Sequence, residues 1–184
     1  NFLRNAELCL IMSKHAVITG GAGFIGSHLV DFLVKKKYRV TVIDNLSTGK
    51  RENLKNSIGK IKFIKEDISN TKRIISYFKK ADYVFHLAAL ADIVPSIQKP
   101  REYFRSNVEG TLSVLECCKK YKVKKLIYTA SASCYGLPKN FPTNEKQKIN
   151  LMYPYALTNW LGEELILHWT KIYKIKANSL RLFN

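Results

Sequence analysis

Acidic side chains are scarce in this sequence: 14 Asp and Glu stand against 31 Lys and Arg over 184 residues, a formal charge of +17. An excess of that size raises nucleic acid as a partner, because phosphate binding rests on clustered basic charge. Clustering is lacking as well. The lysines fall in pairs through every segment, among them Lys79-Lys80, Lys119-Lys120 and Lys124-Lys125, mostly at expected helix ends and strand entries. No basic-and-aromatic recognition motif accompanies them. The reading is therefore a lysine-rich solvated surface with no nucleic-acid partner. Its positive field can still draw in anionic dinucleotides and sugar nucleotides.

Cysteine is equally sparse. Cys9, Cys117, Cys118 and Cys134 form no C-x-x-C pair and no zinc-spaced set with histidine, so neither a disulfide scaffold nor a metal site is expected. Reduced thiols and a cytoplasmic location follow. No apolar run reaches the roughly 20 residues of a membrane span, which excludes a helical membrane protein. The opening stretch is apolar at Phe2, Leu3, Leu8, Leu10 and Ile11, but Arg4 and Glu7 interrupt it. No small-residue cleavage site follows, so a signal peptide is not expected. Met12 opens a clean strand pattern, which makes residues 1–11 a leader of no assigned function. What remains is long enough to bury one good core, and one domain is expected.

Apolar runs of strand length then alternate with helix-period segments, the pattern of a parallel sheet covered on both faces. Strands are expected at 15–19, 39–43, 61–64, 83–87, 125–129 and 177–182. Between the first two, Ile25, Leu29, Phe32 and Leu33 read as one apolar helix face. A polar helix is expected over 70–80. A long one over 101–121 carries Phe104, Val108, Leu112 and Leu115 on one stripe. The last helix begins near Pro154, where proline suits a first turn, with Leu161, Leu165 and Ile172 as its buried stripe. The fold class is a doubly wound α/β sheet of the Rossmann type.

The first strand runs into Gly20-Gly21-Ala22-Gly23-Phe24-Ile25-Gly26. Glycines at 20, 23 and 26 permit a tight turn, close approach of backbone to a pyrophosphate, and tight helix–strand packing. The helix N-terminus behind them offers free N–H groups and a partial positive charge. Asp44 closes the second strand at the spacing that places a carboxylate on the adenosine ribose. A carboxylate there accepts hydrogen bonds from both hydroxyls and repels a 2′-phosphate, so NAD is favoured over NADP.

With these residues in view, the sequence resembles the extended short-chain dehydrogenase/reductase family, and within it the NAD-dependent nucleotide-sugar epimerases and dehydratases. The stretches that carry the likeness are TGGAGFIGSHL (19–29), DNLSTGK (44–50), EDI (66–68), HLAALAD (86–92), NVEGTL (107–112), SASCYGL (131–137), YPYALTNW (153–160) and RLFN (181–184). The resemblance implies that Phe24 and Ile25 lie along the pyrophosphate, with Asp44, Asn45, Ser47 and Thr48 around the adenosine ribose. It implies Asp67 and Ile68 at the adenine, and Leu87, Ala88 and Ala89 under the cofactor. Asn107 would stand behind them and Phe183 near the nicotinamide. Ser131 and Tyr155 would be the catalytic hydroxyls, and Ser131, Ser133 and Asn184 would face the substrate. A phenolate at Tyr155 would take the proton of a sugar hydroxyl while hydride passes to NAD.

Dehydratases and decarboxylases of the family carry an acid two places before the tyrosine of the Tyr-Gly pair. Here that position is Ser133, and an uncharged loop suits epimerisation. The expectation is a UDP-sugar 4-epimerase of the UDP-glucose/UDP-galactose type, with a UDP-uronic acid or another sugar nucleotide as the alternative substrate. The resemblance also implies a homodimer through helices 101–121 and 154–173. It further implies that residues 12–184 are the NAD-binding domain, with the smaller C-terminal substrate domain missing.

One position departs from the family. Its motif is Tyr-x-x-x-Lys, whereas Tyr155 is followed by Asn159, and the nearest lysine along the helix is Lys171. In the family that lysine holds the nicotinamide ribose and favours the phenolate. A unit charge about 6 Å away at an effective dielectric near 20 is worth roughly 3 kcal/mol, or about two pKa units. Its loss lowers the reactive phenolate fraction on the order of 100-fold. Slowed catalysis with better-preserved binding is expected. A catalytically silent NAD-binding protein is the competing reading.

Overall fold

The strand-length apolar runs do form strands. The computed structural model describes residues 13–138 and 141–183; the expectations for residues 1–11, Met12 and Asn184 lie outside the described residues. The strands are β1 (His15–Thr19), β2 (Arg39–Ile43), β3 (Ile61–Ile64), β4 (Tyr83–His86), β5 (Lys125–Ser131) and β6 (Ala177–Leu182). All pair in parallel, in the order β3-β2-β1-β4-β5-β6. β4 stops one residue earlier than expected, at His86, and β5 runs two further, to Ser131.

Side chains alternate across the sheet. Ala16 and Ile18 of β1 join Val40, Val42, Val30 and Leu33 in one core, while Val17 joins Ile43, Val84, Leu126, Leu115 and Ile166 in the other. Each such buried Val, Leu or Ile side chain contributes roughly 1.5–3 kcal/mol.

The helices are α1 (Phe24–Lys35), the short α2 (Thr71–Ile74), α3 (Ile93–Gln98), α4 (Pro100–Tyr103), α5 (Gly110–Tyr121) and α6 (Pro154–Tyr173). α4 and α5 are joined by a π-helical turn, Phe104–Glu109. The expected buried faces need correction. α1 buries Leu33 as expected and packs Leu29 partly, but it buries Gly26 and Val30 in place of Ile25 and Phe32, which are exposed along with Phe24. The reason is that Gly26 must face the end of β1, which rotates the inward stripe by one residue.

In the 101–121 region, Phe104 and Leu112 face outward while Asn107, Thr111, Val114 and Cys118 are buried. The π turn inserts an extra residue per turn and shifts the phase of everything after it. α6 buries Ala156, Asn159, Gly162, Glu163 and Ile166, and Ile172 is exposed. Its close approach to the sheet is set at Gly162, where a Cβ would lie 2.5 Å from the Tyr128 hydroxyl.

The lysine pairs also acquire a reason. Lys37, Lys80, Lys122 and Lys174 adopt left-handed φ of 63, 63, 50 and 57° at turns that follow helical segments. Their charge favours a helix C-terminus, which offsets part of the roughly 1–2 kcal/mol cost of that conformation. At the other end of the sheet, Arg181 of β6 reaches into α6. Its Nε donates to both carboxylate oxygens of Glu163 at 3.2 and 3.0 Å, and its Nη1 to the Tyr135 hydroxyl at 2.6 Å.

Two outcomes follow. Arg181→Met strands the buried Glu163 carboxylate and is expected to cost about 3–5 kcal/mol in urea unfolding, most of it recovered in the Arg181→Met/Glu163→Leu double variant. Equal stability of all three proteins would contradict the pairing. Acid acts through histidine. Burial, seconded by the Arg39 charge, holds His15 down at about 4, and burial holds His86 at about 3. Both folded values lie below the ordinary 6.5, so the unfolded chain binds more protons as pH falls. Stability present above pH 6.5 is therefore expected to drain away between about pH 6.5 and 4, with proton uptake on unfolding approaching two per molecule. A flat unfolding free energy over that window is the contrary result.

Candidate functional site

The chain leaves β1 toward β2 and β3, and leaves β4 toward β5 and β6. The carboxyl ends of β1 and β4 therefore part at a switch point, the place where an open α/β sheet forms a crevice. A cleft opens there, lined by Gly20, Gly23, Asp44, Asn45, Ser47 and Thr48 on one side. Asp67, Ile68, Leu87, Ala88 and Ala89 line it elsewhere. Eleven of the sequence-expected cofactor residues thus share one space.

Two glycines make the cleft floor possible. Gly20 has φ +71°, and a Cβ on it would sit 2.6 Å from the Ala88 nitrogen; one on Gly26 would strike the Gly20 carbonyl. Gly23 is different: only the Gly20 carbonyl, at 3.3 Å, lies near its Cβ position, so its backbone is bare toward the opening. α1 begins at Phe24, and its first turn leaves N–H groups without intrahelical partners. Phe24 and Ile25 are exposed there, while Gly26 is buried.

Asp44 is buried and holds the turn as well as facing the cleft. Its Oδ2 accepts from Ala22 N–H at 2.9 Å and its Oδ1 from Leu46 N–H at 2.8 Å. Each oxygen keeps a further lone pair, enough for a diol. Asn45 caps its own loop by accepting from Ser47 N–H at 3.0 Å. Asp67 accepts from Ser69 N–H at 2.8 Å, and Ile68 packs where Gly110 has no side chain.

Asn107, in the π turn, lies behind the floor. Its Oδ1 accepts from Leu90 N–H at 2.8 Å, and its Nδ2 donates to Leu90 O at 3.0 Å and to Thr158 Oγ1 at 3.1 Å.

Ser131 stands at the neighbouring strand end and Tyr155 at the start of α6, and neither is among the residues lining the cleft. Ser131 closes β5 and accepts from Ser133 N–H at 3.1 Å, which leaves its proton available. The Ser133 hydroxyl is buried and has no hydrogen-bond partner among the described residues. Tyr155 is in the first turn of α6, and its carbonyl accepts from the Thr158 hydroxyl at 3.1 Å. Asn159 is buried one turn on, and its carbonyl accepts from the Tyr128 hydroxyl at 3.1 Å. Phe183 lies outside the cleft lining. It stacks on Tyr135 with centroids 6.1 Å apart and lines an apolar pocket with Ala132, Phe141 and Pro142.

Sequence reasoning missed several lining residues, among them Gly49, Glu66, Leu90, Glu102, Arg105 and Ser106. Arg105 closes the Asp67 end through an ion pair at 3.4 Å and a bond to Ser69 Oγ at 3.0 Å. Only the π turn aims it there, and no local pattern signals that. Gly49, inside the 44–50 motif, was legible: a Cβ on it would lie 2.9 Å from the Ala22 carbonyl carbon.

A bare glycine turn at a helix N-terminus, a two-acceptor carboxylate at the end of β2 and an apolar slot at Ile68 fit the pyrophosphate, ribose and base of a dinucleotide. The comparisons with known proteins agree in kind. UDP-glucose 4-epimerase of Lactobacillus helveticus is 37% identical over 170 residues, 91% of this chain and 51% of that protein. A UDP-N-acetylglucosamine 4-epimerase from Methanobrevibacter ruminantium, solved in complex with UDP-N-acetylmuramic acid, superposes with a TM-score of 0.88 at 39% identity. That match covers 94% of this chain and 55% of the other. UDP-glucose 4-epimerase from Brucella ovis, solved in complex with NAD, gives 0.87 at 32% identity, over 94% and 52%. The chain spans about half the length of the curated relatives it matches. No described helix is long and apolar enough to cross a membrane. The sequence matches the NAD dependent epimerase/dehydratase family over residues 16–184, and the chain belongs to that family.

Proposed function

We propose that this protein binds NAD and epimerises a UDP-sugar of the glucose/galactose type at C4, through a transient 4-keto sugar. One observation carries the reading: the cleft with Gly20, Gly23 and Asp44 opens at the switch point, the adjacent strand β5 ends at Ser131, and Leu90 of the cleft is tied through Asn107 and Thr158 to the turn of α6 that bears Tyr155. Asp44 favours NAD over NADP because its two oxygens already serve backbone N–H groups as a carboxylate, and a 2′-phosphate would meet that charge.

NAD, when bound, supplies reversible hydride acceptance, so it is regenerated within each cycle. Tyr155 takes the proton of the C4 hydroxyl and later returns it. Ser131, with its own proton uncommitted, donates to the same oxygen and fixes the ring. Ser133 offers no acid for elimination, which is why epimerisation is favoured over dehydration. Its buried, unpartnered hydroxyl suits a hydrogen bond to the sugar. Asn184, outside the described residues, is assigned to the substrate on the family pattern alone.

Asn159 holds no charge to favour the phenolate, so turnover is slow relative to a lysine-bearing relative. Lys171 cannot substitute: twelve residues along a helix is about 18 Å. The second reading, a silent NAD-binding protein, draws on this same position.

Phe104 and Leu112 on one helix run, with Leu157 on α6, expose apolar surface of the kind that pairs with a second copy, in keeping with a homodimer. The buried free thiols Cys117, Cys118 and Cys134 suit a reducing, cytoplasmic setting.

The test uses the chain extended by the C-terminal portion of a relative, with Asn159 or with lysine there. UDP-galactose to UDP-glucose conversion and bound NAD are measured together. Asn159→Lys is expected to raise turnover on the order of 100-fold with NAD retained in both. NAD retained without turnover in either form would reject the epimerase reading in favour of the silent one.

A further inference from the structure

His86 is buried inside a polar chain that the chemistry above does not use. Its Nδ1 lies 2.7 Å from Thr19 Oγ1 and its Nε2 2.9 Å from Thr111 Oγ1. The Thr111 hydroxyl in turn donates to the Asn107 carbonyl at 2.6 Å. At the other end, Ala88 N–H donates to Thr19 Oγ1 at 3.4 Å. Every member is buried except Ala88, which is half-buried in the cleft floor.

The direction of these bonds can be deduced. A carbonyl only accepts, so the single Thr111 proton is committed to Asn107 and the Thr111 oxygen can only accept from the ring. The ring proton is therefore on Nε2. With a neutral ring, Nδ1 is an acceptor, and the Thr19 hydroxyl must donate to it. The Thr19 oxygen is then left to accept from Ala88. Burial keeps the ring neutral, with its pKa near 3, so no second ring proton disturbs the order.

The two ends of the chain matter. Thr19 is the residue before Gly20, and Ala88 is the backbone against which the Gly20 turn closes. Asn107 clamps Leu90 and holds Thr158, whose hydroxyl bonds the carbonyl of Tyr155. We infer that Thr19, His86 and Thr111 are positioning residues, a one-way relay that sets the spacing between the cofactor floor and the tyrosine-bearing turn of α6. The part concerning Tyr155 rests on the function proposed above; the part concerning the floor rests on NAD binding alone.

Thr19→Val cuts the relay at its first link while keeping side-chain volume, and Thr19→Ser keeps the hydroxyl. Isothermal titration with NAD, on variants whose circular dichroism matches the parent, is the first readout. Thr19→Val is expected to weaken NAD about tenfold, and Thr19→Ser to stay within about twofold of the parent. The second readout is the nitrogen-15 spectrum of the His86 ring. It is expected to show the Nε2–H tautomer, with a slowly exchanging proton whose shift moves when NAD is added to the parent but not to Thr19→Val.

Equal NAD affinity in all three proteins, or an Nδ1–H ring, overturns the relay. Absence of NAD binding by the parent would remove the cofactor reading, while the tautomer would still decide the direction of the chain. Absence of sugar turnover alone would leave both readouts intact, so the two proposals fail separately.

Discussion

The whole site depends on backbone brought closer to backbone than any side chain allows. Gly26 of α1 lies on the Gly20 carbonyl, and Gly20 in turn lies on the Ala88 peptide at the end of β4. The contact removes Cβ atoms from the places where β1, β4 and α1 converge. Only then can the open first turn of α1 sit directly over the switch point, its unpartnered N–H groups facing where the proposed dinucleotide would carry its phosphates. A methyl at either glycine would move the helix end off the cleft. The same device recurs farther out: Gly110 admits Ile68, and Gly162 lets α6 settle on Tyr128.

Around that contact the polar groups act twice. Asp44 ties the glycine turn to the end of β2 through Ala22 and Leu46 and still presents acceptors to the cleft. Asn107 joins the floor to α6 and has no exposed surface to speak of. A site assembled in this way is stiff, because each buried donor or acceptor lost leaves another unpaired. The outer elements tell a different story. Arg105 and Asp67 meet across an exposed edge, where an ion pair is worth little on its own and mainly narrows the cleft.

The sequence made the strands legible because parallel strands buried on both faces are short apolar runs with punctuated ends. His15–Thr19, Arg39–Ile43, Ile61–Ile64 and Ala177–Leu182 coincide with the expected bounds. The glycine turn and Asp44 were legible for a related reason, since their constraints are local and act within one β-α-β passage. Helix faces were not. Ile25 and Phe32 look like part of a core stripe, yet the packing of Gly26 decides which way α1 turns. The π turn at Phe104–Glu109 has no period-based signature, so Arg105 stayed hidden, and of the buried stripe of the following helix only Leu115 was legible. The Glu163–Arg181 pair joins residues 18 apart on different elements, and neither charge announces that it is buried.

Asn159 shows how far geometry and chemistry can separate at one residue. Its backbone carbonyl takes the Tyr128 hydroxyl, a bond available to any residue at that place in the helix. The helix is held there also by Gly162 against the Asn107 carbonyl and by Thr158 against the Asn107 amide. None of these contacts uses the side chain at 159. The residue type at 159 therefore leaves the fold's reasons for placing Tyr155 as they are; under the function proposed above, an asparagine there lacks the charge and the ribose contact of the family's lysine. A buried charge is costly to hold, so its loss need not harm the fold. Under the proposed function, the framework of the site and the electrostatic term that would drive it are set by different atoms. The first can persist without the second.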